Sequence, residues 1–284
     1  MQVIHKEFFN INRISEFKIV PIGDIHLGAA ACREEKLKRT IEDVKKNNKY
    51  WIGMGDYGEF INTRDPRFDF DTLAKWARLE IQDLSSAQVK KFLEYTKPIA
   101  GKCLGIIKGN HEDTIHRHTE NNVYSRIVTG VKSNAGLGDK DNLGLGFNGF
   151  IILDFYRGKK KQGSSRIVIY CHHGFGGGRT TGGKANKLAT LLKQVDADIV
   201  IIGHTHEQIT FPAARYYTDR KCNVRLKPVW GCNSGSFLDS YKMGIDTYSE
   251  KVAYSPLPIA GSEIILKPGA EKKEDRVKIL SLNR

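Results

Sequence analysis

The chain has 284 residues, of which 40% are hydrophobic and 27% are charged, and its formal net charge at pH 7 is +13. No apolar run approaches the roughly 20 residues that a membrane-spanning helix needs, so the composition argues against an integral membrane protein. The positive charge favours anionic partners such as phosphorylated molecules or nucleic acid, although basic proteins also occur without them.

The N-terminal segment and the cysteines indicate where the protein works. Met1 to Asn10 contains His5, Lys6 and Glu7, so it lacks the continuous apolar region of a secretory signal peptide. The five cysteines are widely spaced and form no CxxC pair, which indicates neither a zinc ribbon nor a disulfide framework. We therefore expect a cytoplasmic protein.

Five apolar runs predict buried strands, and metal-ligand residues follow each run directly. The runs are Phe17 to Ile22, Trp51 to Met54, Cys103 to Ile107, Ile167 to Cys171 and Asp198 to Ile202. The clusters that follow are Gly23-Asp24-Ile25-His26, Gly55-Asp56, Gly109-Asn110-His111-Glu112, Cys171-His172-His173-Gly174 and Gly203-His204-Thr205-His206. Because ligands collect at strand ends in an open sheet, the five clusters can converge on one point.

Helical patterns alternate with these strands, which predicts a layered α/β fold. Leu37, Ile41 and Val44 recur at helical spacing and predict an amphipathic helix after the first cluster. Phe70 to Tyr95 is the longest helical region, and Ser85-Ser86 is a point where it can divide.

The middle of the chain predicts loops and then a hairpin. Thr119 to Gly149 is rich in Gly, Asn and Asp, and we expect surface loops there. Phe150 to Phe155 and Arg166 to Cys171 flank the basic turn Arg157 to Lys161, which predicts a β-hairpin with a solvated tip.

The last third of the chain predicts one helix and then more strands. Leu188, Leu191, Leu192 and Val195 indicate an amphipathic helix that leads into the fifth apolar run. Residues 208 to 236 and 250 to 282 contain β-branched and aromatic residues interrupted by Gly, Pro and Asn. We expect these two segments to form strands that complete a second sheet.

The clusters contain the residue types that a two-metal centre needs. Carboxylates can bridge two cations, and neutral imidazoles suit Mn, Fe, Zn, Co or Ni better than Mg or Ca. Two adjacent divalent ions can hold a phosphate, generate a hydroxide nucleophile and stabilise the attacking and leaving oxygens. The candidate ligands are Asp24, His26, Asp56, Asn110, His172 or His173, His204 and His206.

The spacing of two clusters has a geometric interpretation. Alternate residues of an extended segment point to the same side, so Asp24 with His26, and His204 with His206, can share one centre. Any one cluster alone is more simply interpreted as a loop or helix cap. All five in this order predict a two-metal hydrolase.

Taken in order, the five clusters resemble the motifs of the calcineurin-like metallophosphoesterase superfamily. These motifs are DxH, GD, GNH with a following acidic residue, a strand-ending His and GHxH. The resemblance implies an α/β fold in which two mixed β-sheets pack as a sandwich flanked by α-helices. It also implies a metal site at loop ends on one edge of the sandwich. We expect a single metallophosphoesterase domain over residues 1–284, with a motif core at 18–207 and a C-terminal β-rich elaboration at 208–284.

The resemblance assigns metal ligands residue by residue. Two divalent ions are implied, manganese first among them, with Fe, Zn, Co or Ni as alternatives. The first is expected at Asp24, His26 and His206, the second at Asn110, His204 and a histidine of the fourth motif, and Asp56 is expected to bridge both. We prefer His172 because it comes first after the strand, with His173 as the alternative because some relatives have a His-Gly pair.

The resemblance also implies catalytic roles for His111 and Asp56 around a metal-bound hydroxide. His111 is expected to orient phosphate and to protonate or stabilise the leaving oxygen, and Glu112 or Asp113 is expected to tune it. Many relatives have an acidic residue three positions after the bridging Asp, and Glu59 occupies that position here.

A glycine-rich basic loop, Gly174 to Lys184, follows the fourth motif. Its backbone amides, with Arg179, Lys184 or Lys187, are expected to bind substrate phosphates together with Asn110 and His111. Its spacing differs from GxxxxGK[ST], so it is no nucleotide P-loop. The alternative is a flexible loop that caps the next helix.

These features predict a metal-dependent phosphodiesterase or nuclease that acts on DNA or RNA. The alternative enzyme is a phosphomonoesterase acting on a nucleotide or phosphoprotein. A noncatalytic protein-interaction scaffold is a third hypothesis, against which the intact ligand set argues. We expect no membrane partner, and the sequence names no protein partner.

Overall fold

The computed structural model describes residues 1–61, 63, 65–159, 161–178 and 180–283. The strands in these ranges are β1 Gln2–Phe8, β2 Phe17–Ile22, β3 Tyr50–Gly53, β4 Cys103–Ile107, β5 Gly144–Gly146, β6 Asn148–Tyr156, β7 Ser164–His172, β8 Ile199–Ile202, β9 Thr210–Thr218, β10 Val224–Asn233, β11 Ala260–Leu266 and β12 Val277–Asn283. The α-helices are α1 Glu34–Lys46, α2 Lys75–Leu79, α3 Leu84–Thr96, α4 Asn110–Thr119, α5 Val123–Asn134, α6 Thr181–Gln194 and α7 Tyr248–Lys251.

Across the described residues, the strands form two mixed six-stranded sheets. The strand order is β1-β6-β7-β8-β10-β9 in sheet 1 and β12-β11-β2-β3-β4-β5 in sheet 2. In sheet 1, β7, β8 and β10 are parallel, and in sheet 2, β2, β3 and β4 are parallel. The carboxyl ends of the parallel strands in each sheet therefore lie along one edge.

The two sheets pack face to face through an apolar core. Ile19 and Ile52 of sheet 2 lie in this core with Ile169 and Ile199 of sheet 1. Because successive strand residues point to opposite faces, Val20 lies instead in the core between sheet 2 and its helices. Alternation along buried strands thus produces the sandwich.

Helices cover the outer face of each sheet. Leu37 of α1, Phe92 of α3 and Ile127 of α5 are buried against sheet 2. Leu188 and Leu192 of α6 are buried against sheet 1. The fold is therefore the predicted sandwich of two mixed sheets flanked by α-helices. No helix in the described ranges is both long and apolar enough to cross a membrane.

Most of the predicted elements are present. The five apolar runs correspond to β2, β3, β4, β7 and β8. The two predicted amphipathic helices are α1 and α6. The predicted hairpin is formed by β6 and β7, which pair antiparallel from Asn148 with His172 to Tyr156 with Ser164.

The long helical region is broken earlier than predicted. Helix α2 ends at Leu79 and α3 begins at Leu84. The Asp83 carboxylate caps α3 by accepting a hydrogen bond from the main-chain N–H of Ser86 at 3.3 Å. A capping aspartate thus sets the break, whereas Ser85 and Ser86 belong to the first turn of α3.

The prediction of loops from Thr119 to Gly149 is wrong for two segments. Helix α5 occupies Val123–Asn134, and β5 occupies Gly144–Gly146. Val123, Ile127 and Val131 are fully buried at a spacing of four residues. This apolar stripe stabilises the helix, although Ser125, Arg126, Thr129 and Gly130 lie between its members.

The C-terminal strands do not complete one sheet, as the sequence predicted, but extend both. β9 and β10 continue sheet 1 beyond β8, and β11 and β12 continue sheet 2 beyond β2. Strand β1, which the sequence analysis did not predict, pairs parallel with β6 at the other edge of sheet 1.

Candidate metal centre

The five clusters meet at the edge where the parallel strands end. The main-chain N–H of Asp24 donates to the Gly55 carbonyl at 2.9 Å, which joins the first two clusters. The N–H of Gly203 donates to the His173 carbonyl at 2.9 Å, which joins the last two. Asn110 begins α4 directly after β4, so the third cluster lies at a helix N-terminus.

Asp24, His26 and His206 form one group, with a ligand atom of each within 4.8 Å of the others. The two imidazole Nε2 atoms lie 3.2 Å apart, and His206 Nε2 lies 3.4 Å from Asp24 Oδ1. The Nδ1–H of His26 donates to Glu59 Oε2 at 2.8 Å, which leaves the Nε2 lone pair directed at this group. Two facing imidazole nitrogens beside a carboxylate fit a cation with nitrogen and oxygen ligands.

Asp56, His173 and His204 form a second group by the same distance limit. His173 Nε2 lies 3.1 Å from Asp56 Oδ2 and 3.0 Å from Asn110 Oδ1. The Nδ1–H of His173 donates to the Met54 carbonyl at 2.7 Å, so Nε2 is again the atom available to a metal. The structure therefore assembles the residue types expected at a second metal.

The histidine in this second group is His173 and not the preferred His172. Strand β7 extends one residue further than predicted and ends at His172. The ring of His172 lies outside the group, where its Nδ1 accepts a hydrogen bond from the Gly174 N–H at 2.8 Å. The next side chain, that of His173, enters the group. This placement agrees with the His-Gly pair and makes His173 the candidate ligand of the second group.

Five of the candidate ligands have a left-handed backbone conformation. Asp24, His26, Asp56, His204 and His206 have φ values between 48° and 65°. The extended geometry predicted for the DxH and HxH motifs is therefore wrong, because these residues turn away from the strands. Left-handed conformations cost non-glycine residues roughly 1–3 kcal/mol each and persist where the surrounding structure imposes them.

Asp24 is held by side chains that the sequence analysis missed. Its carboxylate accepts hydrogen bonds from the main-chain N–H of His204 at 3.0 Å and from Ser234 Oγ at 3.2 Å. Its carbonyl oxygen accepts a hydrogen bond from Ser236 Oγ at 2.9 Å. Both serines follow β10, and serine hydroxyls are too common in loops to mark a site in the sequence.

Glu112 organises the backbone of the site. Its buried carboxylate accepts hydrogen bonds from the main-chain N–H groups of Gly109 at 2.8 Å, Asp56 at 3.0 Å and Tyr57 at 2.8 Å. Burial, together with the charge of Asp56, raises the pKa of Glu112 to about 7. Asp113 instead forms an ion pair with Lys108 at 2.5 Å. The hydrogen bonds of both carboxylates therefore go to groups other than the His111 ring.

His111 is oriented by Asp56 and Glu59. Its main-chain N–H donates to Asp56 Oδ1 at 3.0 Å, and its ring Nδ1–H donates to the Glu59 carbonyl at 2.5 Å. The ring stands nearly perpendicular to that of His26, with centroids 4.7 Å apart. Burial alone would lower the pKa of His111, but the charges of Asp56 and Glu59 outweigh it and raise the pKa.

The charges in the second group are strongly linked. Burial opposes ionisation of Asp56, but the positive charge of His173 holds the pKa of Asp56 well below its usual value. Burial would lower the pKa of His173, but Asp56 raises it to about 10. Burial and the charge of His173 lower the pKa of His204 to about 4, so His204 is neutral. A metal ion binding here would replace the proton on His173.

The lysines of the glycine-rich loop have partners within the protein. Lys184 forms an ion pair with Glu207 at 3.1 Å, and Lys187 Nζ donates to the Gly177 carbonyl at 2.8 Å. Thr180 Oγ1 caps α6, as the alternative interpretation of the loop predicts. Arg179, the other predicted phosphate contact, lies outside the described residues.

The sequence matches a known protein family. A family model described as calcineurin-like phosphoesterase matches residues 17–208. No curated protein gives a significant match to the chain.

Several solved structures show a distant likeness to this chain. They include a predicted phosphoesterase from Streptococcus pneumoniae (12% identity, 94% of this chain, 99% of that chain, TM-score 0.33). Yfce, a phosphoesterase from E. coli, is 13% identical over 94% of this chain and 99% of its own, with a TM-score of 0.36. Vps29 complexed with zinc from Entamoeba histolytica is 14% identical over 94% of this chain and 99% of its own, with a TM-score of 0.37.

Proposed function

Because this chain belongs to the calcineurin-like phosphoesterase family, we propose that it is a metal-dependent phosphodiesterase that cleaves nucleic acid. The observation that carries the proposal is the convergence of two groups of nitrogen and oxygen ligands at one edge of the sandwich. The net charge of +13 supports a polyanionic substrate, since a basic surface attracts phosphate backbones.

The proposed ligands follow from the two groups. The first ion would be held by Asp24, His26 and His206, the second by Asn110, His173 and His204, and Asp56 would bridge them. This donor set suits Mn, Fe, Zn, Co or Ni, of which we propose manganese. When bound, such ions neutralise charge on a phosphoester and lower the pKa of water.

His111 is the proposed general acid. The hydrogen bond from its Nδ1–H to the Glu59 carbonyl fixes the ring and leaves Nε2 for the substrate. The neighbouring carboxylates outweigh burial and raise its pKa, which favours the protonated ring. That proton can pass from Nε2 to the leaving oxygen as the phosphorus–oxygen bond breaks. A divalent cation beside Asp56 would oppose the rise in pKa and ease this transfer.

We also propose that residues 1–284 act as one domain. Strands from residues 208–284 lie in both sheets beside strands of the motif core, so the elaboration shares its cores. We also propose that the protein is cytoplasmic. Free thiols persist in a reducing compartment, and four of the cysteines are buried free thiols: Cys32, Cys103, Cys171 and Cys232.

The experiment compares Asp56→Asn with wild type after both are loaded with manganese. Asp219→Asn is the matched control, because Asp219 lies in the turn between β9 and β10 and bonds Arg225. Bound metal is measured by elemental analysis, and hydrolysis is measured on an aryl phosphodiester and on single- and double-stranded DNA and RNA.

We expect wild type and Asp219→Asn to bind two ions and cleave diesters. Asp56→Asn should lose bound metal and at least about 100-fold in rate. Full activity of Asp56→Asn would contradict the proposal. Phosphate release from a monoester without diester cleavage would instead assign a phosphomonoesterase.

A further inference from the structure

Two exposed phenylalanine residues lie next to the fourth motif of the candidate metal centre. Phe147 is 44% exposed and Phe175 is 46% exposed, although large apolar side chains are usually buried. The Phe147 carbonyl accepts a hydrogen bond from the His173 N–H at 3.2 Å. Phe175 follows His173 by two residues, and its ring packs against the His172 ring with centroids 5.8 Å apart. The backbone of Phe147 and the ring of Phe175 thus lie beside the fourth motif.

Each ring has a lysine ammonium near it. Lys108 Nζ lies 4.8 Å from the Phe147 ring centroid, and Lys187 Nζ lies 5.7 Å from that of Phe175. The ion pair with Asp113 fixes Lys108, and the carbonyls of Gly176 and Gly177 fix Lys187. Two aromatic and cationic pairs therefore belong to residues that contact the His172-His173 segment.

This pairing matches one substrate class within the proposed function. A single strand exposes the flat faces of its bases, which stack on aromatic rings, and its phosphates, which attract ammonium groups. In a duplex the base faces are covered by neighbouring bases, so an exposed ring finds no partner there. Exposed rings without an adjacent cation would suit an apolar partner equally well. The two lysines argue against an apolar partner, because their charges favour an anionic one.

We propose that Phe147 and Phe175 are stacking platforms that make the centre selective for single-stranded nucleic acid. The inference rests on the proposed function, since it names the substrate form that the same site would cleave. Phe175, with the His172 ring behind it, receives one base, and Phe147 receives a base on the other side of the fourth motif. His172, which lies outside the metal groups, thereby supports a substrate contact.

The chain offers a matched control for these rings. Phe9 is 39% exposed and stacks on Tyr156 with centroids 5.3 Å apart, and Lys161 lies 5.6 Å from the Tyr156 ring. Tyr156 ends β6, whereas Phe147 directly precedes it. Phe147 and Tyr156 are nine residues apart along an extended strand, a separation of about 30 Å, so Phe9 lies far from the centre.

The experiment measures binding of a fluorescein-labelled phosphorothioate oligothymidylate, which resists cleavage, to the manganese-loaded protein. The proteins are wild type, Phe147→Ala, Phe175→Ala, Phe175→Trp and Phe9→Ala. The probes are the single strand, a duplex of the same length, and an abasic strand with the same backbone. Hydrolysis of a small aryl phosphodiester, which has no nucleobase, is measured in parallel.

We expect each alanine variant near the centre to bind the single strand about 5- to 150-fold more weakly, because one stacking contact is lost. Phe175→Trp and Phe9→Ala should bind like wild type. The abasic strand should bind all variants equally. Unchanged single-strand affinity in both alanine variants, or equal losses on the abasic strand, would overturn the proposal.

The two proposals fail separately. If wild type hydrolyses the aryl diester but the alanine variants bind the single strand normally, the proposal of stacking platforms is wrong and the proposal of a phosphodiesterase stands. If wild type hydrolyses no diester, but binding of the single strand depends on the two rings and on the bases, the proposal of a phosphodiesterase is wrong. The proposal of a single-strand binding site then stands.

Discussion

Replacement of Asp154 by asparagine should destabilise the protein in a way that depends on pH. Asp154 on β6 is buried and accepts two hydrogen bonds from Arg166 on β7, at 2.8 and 2.7 Å. His5 on β1 contacts the same carboxylate at 2.8 Å. Asp154 therefore links three adjacent strands of sheet 1. The variant keeps the shape of the side chain and removes its charge.

The size of the destabilisation follows from the pKa of the Asp154 carboxyl group. Hydrogen bonds from Arg166 outweigh burial, and with the help of His5 they lower the pKa of Asp154 from 3.8 to about 2. At about 1.36 kcal/mol per pKa unit, this difference contributes about 2 kcal/mol to the free energy of unfolding. Because the folded pKa is the lower one, the contribution is complete well above pH 3.8 and is lost as the pH falls towards 2. About half should remain at pH 3.

The assay is urea unfolding followed by the fluorescence of the three tryptophans, at pH 7 and at lower pH. At pH 7 the midpoint of Asp154→Asn should lie about 1 M below that of wild type. Glu35→Gln is the control, because Glu35 forms an exposed ion pair with Lys38 and should show no measurable change. A loss for Asp154→Asn that is the same at pH 7 and pH 3 would refute the electrostatic argument.

Three further predictions concern the candidate metal centre. His111→Ala should keep its bound manganese and lose about 10²- to 10⁴-fold in diester turnover, measured by elemental analysis and a rate assay; loss of the metal instead would count against a proton-transfer role. Gly109→Ala should lose bound metal, because the added Cβ would lie 2.1 Å from Asp56 Oδ1. Gly101→Ala is the control and should keep its metal, because a Cβ at Gly101 would meet no atom within 4 Å. Ser234→Ala should weaken manganese binding about 10- to 100-fold in a metal titration, since Asp24 loses a supporting hydrogen bond, and unchanged affinity would show that the His204 N–H suffices.

The strand ends of the site could be predicted from the sequence for a clear reason. Parallel strands buried on both faces read as continuous apolar runs, so the ends of β2, β4 and β8 are visible as changes from apolar to polar residues. Residue chemistry then indicated metal binding, because Asp, Asn and His occur directly after those ends. Apolar residues at helical spacing located both amphipathic helices.

Local pattern could not predict the exact geometry of the site. His173 lies in the second group because β7 continues one residue beyond its apolar run. The left-handed turns at Asp24 and His206 depend on neighbours that impose them. Helix α5 was missed because a single apolar stripe lies among Gly, Ser, Thr and Asn residues. The first two misses come from tertiary contacts that outweigh local preference.

The hydrogen bond from Ser234 to Asp24 joins residues that are 210 positions apart in the chain. During synthesis, the first candidate ligand therefore emerges long before the serine that supports it. Since long-range contacts form late in folding, the nascent chain would pass through a stage in which Asp24 and its strained backbone lack that support. Tight metal binding should accordingly be reached only after β10 is complete, when most of the chain has been made.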